Sequence, residues 1–205
     1  VYDFAIQGEG TSQLYSSVAL NVFIEGYYIG GGLMTTALLN QGISTCPDIC
    51  DSISLSLVNP SNLVTIATDK SVCKTNGSCS FRFPNINGNY FLVIKHRNGL
   101  ETWSMNPVSI STGTITSYNF TDAASKAYGN NLVAIDAGLF AIYSGDFNQD
   151  DNIDLDDFTL LENDINNFAF GYFDTDVTGD GNVDLADVPF LESNISQFIF
   201  SNHPN

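Results

Sequence analysis

The last 60 residues of the chain contain an internal duplication with a period of 30 residues. The twelve residues from Asp146 to Asp157 align with the twelve from Asp176 to Asp187. Apolar identities continue past these segments at the pairs Leu161 and Leu191, Ile165 and Ile195, Phe168 and Phe198, and Phe170 and Phe200. Because polar and apolar positions both match, the segment is a structural duplication and not a low-complexity stretch.

Oxygen-bearing side chains occupy positions 1, 3, 5, 9 and 12 of each twelve-residue segment, with a backbone carbonyl available at position 7. This is the spacing of a calcium loop of the EF-hand type, which converges about six to eight oxygens on one ion. The predicted ligands of the first loop are Asp146, Asn148, Asp150, Asn152 through its carbonyl, Asp154 and Asp157. Those of the second loop are Asp176, Thr178, Asp180, Asn182 through its carbonyl, Asp184 and Asp187. The sequence therefore predicts two bound calcium ions.

Two positions depart from the usual loop. Position 6 favours glycine for its sharp turn, which Gly181 provides, whereas the first loop has Asp151 and must place it at positive φ. Thr178 is a weaker ligand than Asp or Asn. Ile153 and Val183, at position 8, are expected to pair between the loops.

Charge is distributed unevenly along the chain. The net charge is −17, from 23 acidic and 6 basic residues, and no basic residue follows Lys126. Nucleic acid is therefore an unlikely partner, because phosphate binding requires a basic surface. A compact acidic segment repels itself, so bound cations are expected to neutralise it. The alternative, a disordered acidic tail, conflicts with the regularly spaced Phe, Leu and Ile.

Residues 145–201 resemble the dockerin family, whose two calcium loops each precede one helix and carry Asp at position 12. The resemblance implies helices near 156–166 and 186–197 and a docking role, in which the helix faces bind a partner domain. The family's Ser/Thr pair at positions 10 and 11 is replaced here by Leu155-Asp156 and Leu185-Ala186. A standard cohesin partner is therefore not implied.

Residues 1–117 have the pattern of a β-sandwich. Apolar and polar residues alternate over short stretches near 20–25, 52–57, 81–83 and 90–96, with shorter candidates near 63–67, 108–111 and 114–118. Turn signals such as Asn-Gly and Asn-Pro separate them. About seven short strands of this kind predict two packed sheets. We expect residues 118–144 to be a packed connecting segment and residues 145–205 to be the calcium-binding module. The predicted fold class is thus mainly β, with a small α-helical C-terminal module.

Four cysteines, Cys46, Cys50, Cys73 and Cys79, lie in the β-rich part. An even number of cysteines fits an oxidising extracellular setting. Three pairings are possible, and we favour the two local ones, Cys46 with Cys50 and Cys73 with Cys79. A zinc site is disfavoured because the spacing is irregular and no histidine is nearby.

Residues 93–104, followed by 118–121 and 127–131, are similar to a recurrent pattern in surface proteins of Bacteroidetes-type bacteria. This second resemblance implies a secreted module from a large cell-surface protein, without defining its biochemical role.

Catalytic signatures are scarce in the sequence. It contains two histidines, His96 and His203, and lacks a Gly-x-Ser-x-Gly elbow, a phosphate loop and a His-Glu-x-x-His motif. The sequence contains no run of 18 apolar residues, so it predicts no membrane-spanning helix. We therefore expect a non-enzymatic protein.

The function predicted from sequence is attachment: a secreted, calcium-binding module that binds a protein partner at the cell surface. One candidate partner is a second copy of the chain. In this case the chain is the subunit of an extracellular filament, and apolar residues 1–6 add to the sheet edge of a neighbouring copy. The alternative is a glycan-binding module in which Tyr27, Tyr28 and Trp103 stack on sugar rings.

Overall fold

A computed structural model describes residues 14–205, which form twelve β-strands and three α-helices. The strands are β1 Tyr15–Asn21, β2 Tyr28–Gly30, β3 Leu33–Met34, β4 Ile49–Val58, β5 Thr65–Lys74, β6 Ser78–Pro84, β7 Gly88–His96, β8 Gly99–Trp103, β9 Val108–Ile110, β10 Ile115–Asn119, β11 Val133–Asp136 and β12 Leu139–Ala141. The helices are α1 Ala37–Asn40, α2 Leu155–Asn166 and α3 Val188–Ser196. The filament prediction for residues 1–6 falls outside the described residues.

Eight strands form one curled sheet in the order β10-β1-β6-β5-β4-β7-β8, and β9 pairs with β7. The β1–β10 pair is parallel, and the other pairs in this sheet are antiparallel. The protein is therefore mainly β, and its curled sheet is consistent with the predicted sandwich.

The core follows from the alternation seen in the sequence, since side chains along a strand point to opposite faces. Val18 and Leu20 of β1, Phe81 and Phe83 of β6, and Leu55 of β4 are all buried in one cluster. Burial of each such side chain contributes about 1.5–3 kcal/mol. β7 has a longer apolar run because both of its faces are covered, and Val93 packs with Trp103 in a separate small cluster.

The segment between the sheet and the C-terminal repeats is packed and not free. Its β11–β12 hairpin precedes Ile142, which is buried and forms a parallel bridge with Ile24. Leu132 belongs to the main core.

In the C-terminal part, α2 and α3 lie close to the two predicted helices. Leu161 and Leu191 are buried in a second core with Ile153 and Val183. Ile153 and Val183 thus share a core as predicted, but their backbone amides bond to other segments and not to each other. The Ile153 amide donates to the Ile199 carbonyl at 3.0 Å, and the Val183 amide donates to the Ala169 carbonyl at 3.0 Å. Each loop therefore pairs with the segment that follows the other repeat's helix, which interlocks the repeats.

The C-terminal part packs closely against the sandwich. A Cβ atom added at Gly26 would lie 2.3 Å from the Val177 carbonyl oxygen, and one added at Gly179 would lie 2.8 Å from the Ala37 side chain. Among residues 14–205, no helix is long and apolar enough to cross a membrane.

We expect Gly26→Ala to destabilise the protein by roughly 1–3 kcal/mol, because the added methyl group overpacks the contact with Val177. Chemical denaturation measures this loss. In the control Gly113→Ala, nothing lies within 4 Å of the new Cβ, so only the cost of its φ of +77° is expected, about 1–2 kcal/mol. An unchanged midpoint for Gly26→Ala would contradict close packing at this contact.

Candidate functional site

The two twelve-residue loops turn alike at positions 4 and 6, although α2 begins at position 10 of the first loop and α3 begins only after position 12 of the second. Positive φ angles occur at position 4, in Gln149 and Gly179, and at position 6, in Asp151 and Gly181. Asp151 has φ +72°, as the sequence requires. The duplication in sequence is therefore a duplication in conformation, including its strained positions.

The position 12 carboxylate closes each loop in the same way. Asp157 accepts hydrogen bonds from the Phe147 amide at 2.7 Å and the Asp154 amide at 3.0 Å. Asp187 accepts from the Thr178 and Asp184 amides, both at 2.9 Å. Both carboxylates are fully buried.

The position 1 carboxylates lie at the centre of the loops and are also buried. Asp146 accepts from the Asp150 amide at 3.1 Å. Asp176 accepts from the Gly179 amide at 2.8 Å and the Gly181 amide at 2.9 Å. Backbone amides thus turn inward toward a carboxylate in each loop.

Position 9 begins the helix or turn that follows each loop. Asp154 caps α2 by accepting from the Asp156 amide at 2.8 Å, and Asp157 completes a capping box. Asp184 accepts equivalently from the Ala186 amide at 2.7 Å. A substitution at these carboxylates therefore affects helix initiation as well as any ligand.

In the described residues, no group of three or more His, Cys, Asp and Glu side chains has the arrangement of a metal centre. The carboxylates at positions 1 and 12 of the loops accept hydrogen bonds from backbone amides of the same loops. Calcium ligation by the predicted residues therefore remains a prediction.

Electrostatics in the loops disfavours ionised carboxylates. Burial, together with the negative charge of Asp157, raises the pKa of Asp146 to about 7. Burial also raises the pKa of Asp187 to about 6, and Asp176 adds to this shift. With no basic residue after Lys126, the segment has no cation of its own to offset these charges.

The second loop is held by the sandwich through a buried chain of polar side chains. The Gln41 amide nitrogen donates to Asp176 Oδ2 at 2.6 Å, and its oxygen accepts from Arg97 at 2.9 Å. Arg97 Nε donates to Asp51 Oδ2, also at 2.9 Å. We call Gln41, Arg97, Asp51 and Asp176 the polar relay.

Further contacts surround the polar relay. Asn40 donates to the Gly179 carbonyl at 2.8 Å, and Asn98 donates to the Asp176 carbonyl at 3.2 Å. Arg97 also donates to the Phe173 carbonyl and lies 4.4 Å from the ring centre of Tyr172. The second loop is thereby fixed from several directions.

Asp51 anchors the polar relay inside the sandwich. Burial alone would raise the pKa of its carboxyl, but the contact with His96 and the positive charge of Arg97 outweigh it and hold this pKa well below its usual range. The charged form of Asp51 is therefore stabilised where it faces Arg97. His96 is buried beside it, with its Nε2 atom 3.3 Å from Asp51.

The four cysteines are free thiols in the structure, and the predicted disulfides are not formed. Cys73 does lie directly opposite Cys79 across the β5–β6 turn, with the two sulfur atoms 2.7 Å apart. Cys50 is buried with its sulfur 3.9 Å from that of Met34, whereas Cys46 is partly exposed. The second of the two local pairs is therefore placed for pairing.

The aromatic residues of the glycan alternative are poorly placed for stacking. Tyr27 is fully buried, and Trp103 is 8% exposed with its indole nitrogen bonded to Glu101. Tyr28 is half-buried and donates to Asp136. Tyr27 and Trp103 therefore lack the exposed ring face that this alternative requires, because both belong to the packed interior.

Sequence reasoning missed the contribution of Gln41, Arg97 and Asn98 to the site. Arg97 and Asn98 lie in the segment that resembles bacterial surface proteins, which is the one available signal. Gln41 follows a four-residue helix and has no distinguishing pattern.

No family profile matches the chain, and no curated protein matches it. A solved structure is similar: a C-terminal interface mutant of the type II cohesin–X–dockerin complex Coh3ScaB–XDoc_M2ScaA from Acetivibrio cellulolyticus. It is 16% identical with a TM-score of 0.52, and the match covers 88% of this chain and 95% of the other. The N-terminal interface mutant of that complex, XDoc_M1ScaA, is 16% identical over the same shares, with a TM-score of 0.49. At this identity, the first match shows similarity of fold.

The metal-free protein should lose stability as the pH rises from about 4 to about 7. Asp146 and Asp187 have folded-state pKa values above that of an unfolded Asp, so the folded state retains protons that the unfolded state releases in this range. Their contribution to the free energy of unfolding is complete below the pKa of an unfolded Asp. It is lost as the pH rises past their pKa values in the folded state. Thermal unfolding in chelator at several pH values measures the slope.

Asp146→Asn should reduce this slope without abolishing it, because the variant lacks one of the two titrating groups and Asp187 remains. Asp156→Asn, at an exposed position outside the predicted ligands, serves as the matched control. A metal-free protein whose stability rises over this range would contradict the burial argument.

Proposed function

We propose that the chain is a secreted, non-enzymatic attachment module whose C-terminal repeats bind two calcium ions. The predicted ligands are those of the two loops, and calcium when bound supplies positive charge at the buried carboxylates. The protein partner is engaged at the cell surface, and calcium keeps the C-terminal repeats in the conformation that the partner recognises.

One observation carries this proposal. Positions 1 and 12 of both loops place buried carboxylates next to each other in a segment of 14 acidic residues and no basic residue. Calcium prefers carboxylate and carbonyl oxygens, and the donor set of each loop matches that preference. The positive φ angles shared at positions 4 and 6 support the same role in both loops.

The comparisons support the attachment role by analogy. The similar structure is described as a complex of cohesin, X and dockerin, and the match over 88% of this chain extends beyond its β-rich part. The sandwich and the repeats pack closely, as Gly26 does against Val177, which supports their action as one unit. The extracellular setting is supported by the resemblance to bacterial surface proteins.

Calcium titration followed by calorimetry tests the proposal. We expect two ions per chain and an increase in thermal stability, which mass action sets at about 2.7 kcal/mol per site when free calcium is 100-fold above Kd. Asp157→Asn should remove one ion and Asp187→Asn the other, because each removes the carboxylate that closes its loop.

Glu162→Gln is the matched control, since it removes one exposed negative charge outside the loops. It should leave both ions bound. Absence of calcium binding by the unsubstituted chain, or equal stabilisation by sodium at the same ionic strength, would overturn the proposal.

The polar relay predicts unequal sites. Gln41→Ala should weaken the second calcium site about 10–100-fold, because it removes the hydrogen bond that orients Asp176. The first site should be unaffected, so calorimetry should resolve one weakened and one normal site. Gln149→Ala is the counterpart in the first loop, where Gln149 donates to the Asp146 carbonyl at 2.6 Å. Equal weakening of both sites by Gln41→Ala would contradict a specific role.

A further inference from the structure

An exposed apolar patch lies where the first loop meets the end of the second repeat. We define it as Leu155, Phe198 and Phe200, which are 69%, 83% and 53% exposed. Together with Ile153, Ile195 and Ile199, these residues border a surface cavity of about 430 Å³. On its other side, Leu155 borders a second hollow of about 240 Å³ with Phe158, Glu192 and Ile195. Large apolar side chains grouped around cavities mark an interaction surface.

Phe198 is placed in this patch at a cost to folding. It has φ +55° and follows the C-cap of α3, where its amide donates to the Ile195 carbonyl and the Ile199 amide donates to the Asn194 carbonyl. This is a Schellman motif, in which glycine is the usual residue at this position. Phe168 in the first repeat is equally strained and exposed, so the strain alone does not select a binding residue. We select Phe198 because it lines the cavity of about 430 Å³.

Acidic residues border the patch. Asp156 is adjacent to Leu155, and Glu192 lines the second hollow. Both side chains are exposed. A complementary partner therefore presents apolar side chains beside basic ones.

The outer face of β5 in the same chain has this chemistry. Alternate residues Ile66, Thr68, Lys70, Val72 and Lys74 are all exposed, and they share one face because side chains of a strand alternate. Across the β4–β5 ladder, Thr68, Lys70 and Val72 face Ser56, Ser54 and Ser52. These short serines leave the β5 side chains standing as a ridge. Two of the six basic residues of the chain are on this ridge.

We propose that the apolar patch of one copy docks onto the β5 ridge of a second copy. The two surfaces lie on different parts of the chain, so the contact is head-to-tail and extends into an open linear assembly unless its rotation closes a ring. This inference rests on the proposed function, since it names the partner of the attachment module as a second copy.

The test is sedimentation velocity of the full chain in saturating calcium over a concentration series, with calcium stoichiometry measured on the same samples. Mass is expected to increase beyond a dimer with concentration and to fall with added salt, which screens the lysine–carboxylate attraction. Phe198→Gly should raise the melting temperature, because glycine relieves the strained φ, and weaken association at least about tenfold.

Phe168→Gly is the matched control for this variant. Phe168 is the equivalent residue of the first repeat, with φ +52° and 86% exposure, but it lies outside the apolar patch. It should raise the melting temperature similarly and leave association unchanged. Equal weakening by both glycine variants, or by neither, would overturn the proposal.

A charge exchange tests the choice of surfaces directly. Asp156→Lys with Glu192→Lys makes the patch border basic, and Lys70→Glu with Lys74→Glu makes the ridge acidic. Each double variant alone should be monomeric, because it brings like charges together, and an equimolar mixture should assemble. Asp122→Lys and Lys126→Glu change the charge elsewhere with the same signs and half the size, and each should assemble as the unsubstituted protein does.

A calcium-loaded chain that stays monomeric at every concentration would overturn the inference and leave the calcium-binding proposal intact, with a foreign partner for the patch. Failure of the mixture to assemble would overturn the choice of surfaces. Loss of calcium binding itself is detected separately, by stoichiometry, and counts against the proposed function.

Discussion

The burial of like charges in the C-terminal repeats is the constraint on which the rest of the structure depends. Asp146, Asp157, Asp176 and Asp187 are removed from water without a basic residue in the segment. Backbone amides turned into the loops stabilise these carboxylates in part, and raised pKa values at Asp146 and Asp187 show what remains uncompensated. A bound cation is the simplest source of the missing charge, so folding of the repeats and ion binding are expected to be coupled.

The polar relay explains why the repeats and the sandwich act as one unit. A charge at Asp51 inside the sandwich is connected through Arg97 and Gln41 to the first carboxylate of the second loop. Because a buried hydrogen-bonded chain leaves costly unsatisfied groups when it is broken, the interface resists separation. Within residues 14–205, the first loop instead reaches the sandwich through Gln149, which donates to the His96 carbonyl, so the duplicated repeats differ in their attachment despite their similar sequences.

Much of the fold was predictable because periodic patterns report burial directly. The alternation in β4 and β6 and the helices after each loop were identified from sequence to within a few residues, whereas the first strand, predicted near 20–25, is β1 Tyr15–Asn21. The strand pairing of the loops was not, since local sequence does not specify which segment runs beside which. The glycan-stacking prediction for Tyr27 and Trp103 failed because residue type alone does not tell whether an aromatic ring packs inward or outward.

The sequence by itself determined the duplication, the oxygen spacing of the two loops, the requirement for positive φ at Asp151 and the mainly β character of the chain. These properties depend on local chemistry and period. Only the tertiary structure decided that Gln41 and Arg97 reach the second loop and that Phe198 lies beside Leu155 at a surface cavity. These properties depend on contacts between residues far apart in the chain, which no local pattern encodes.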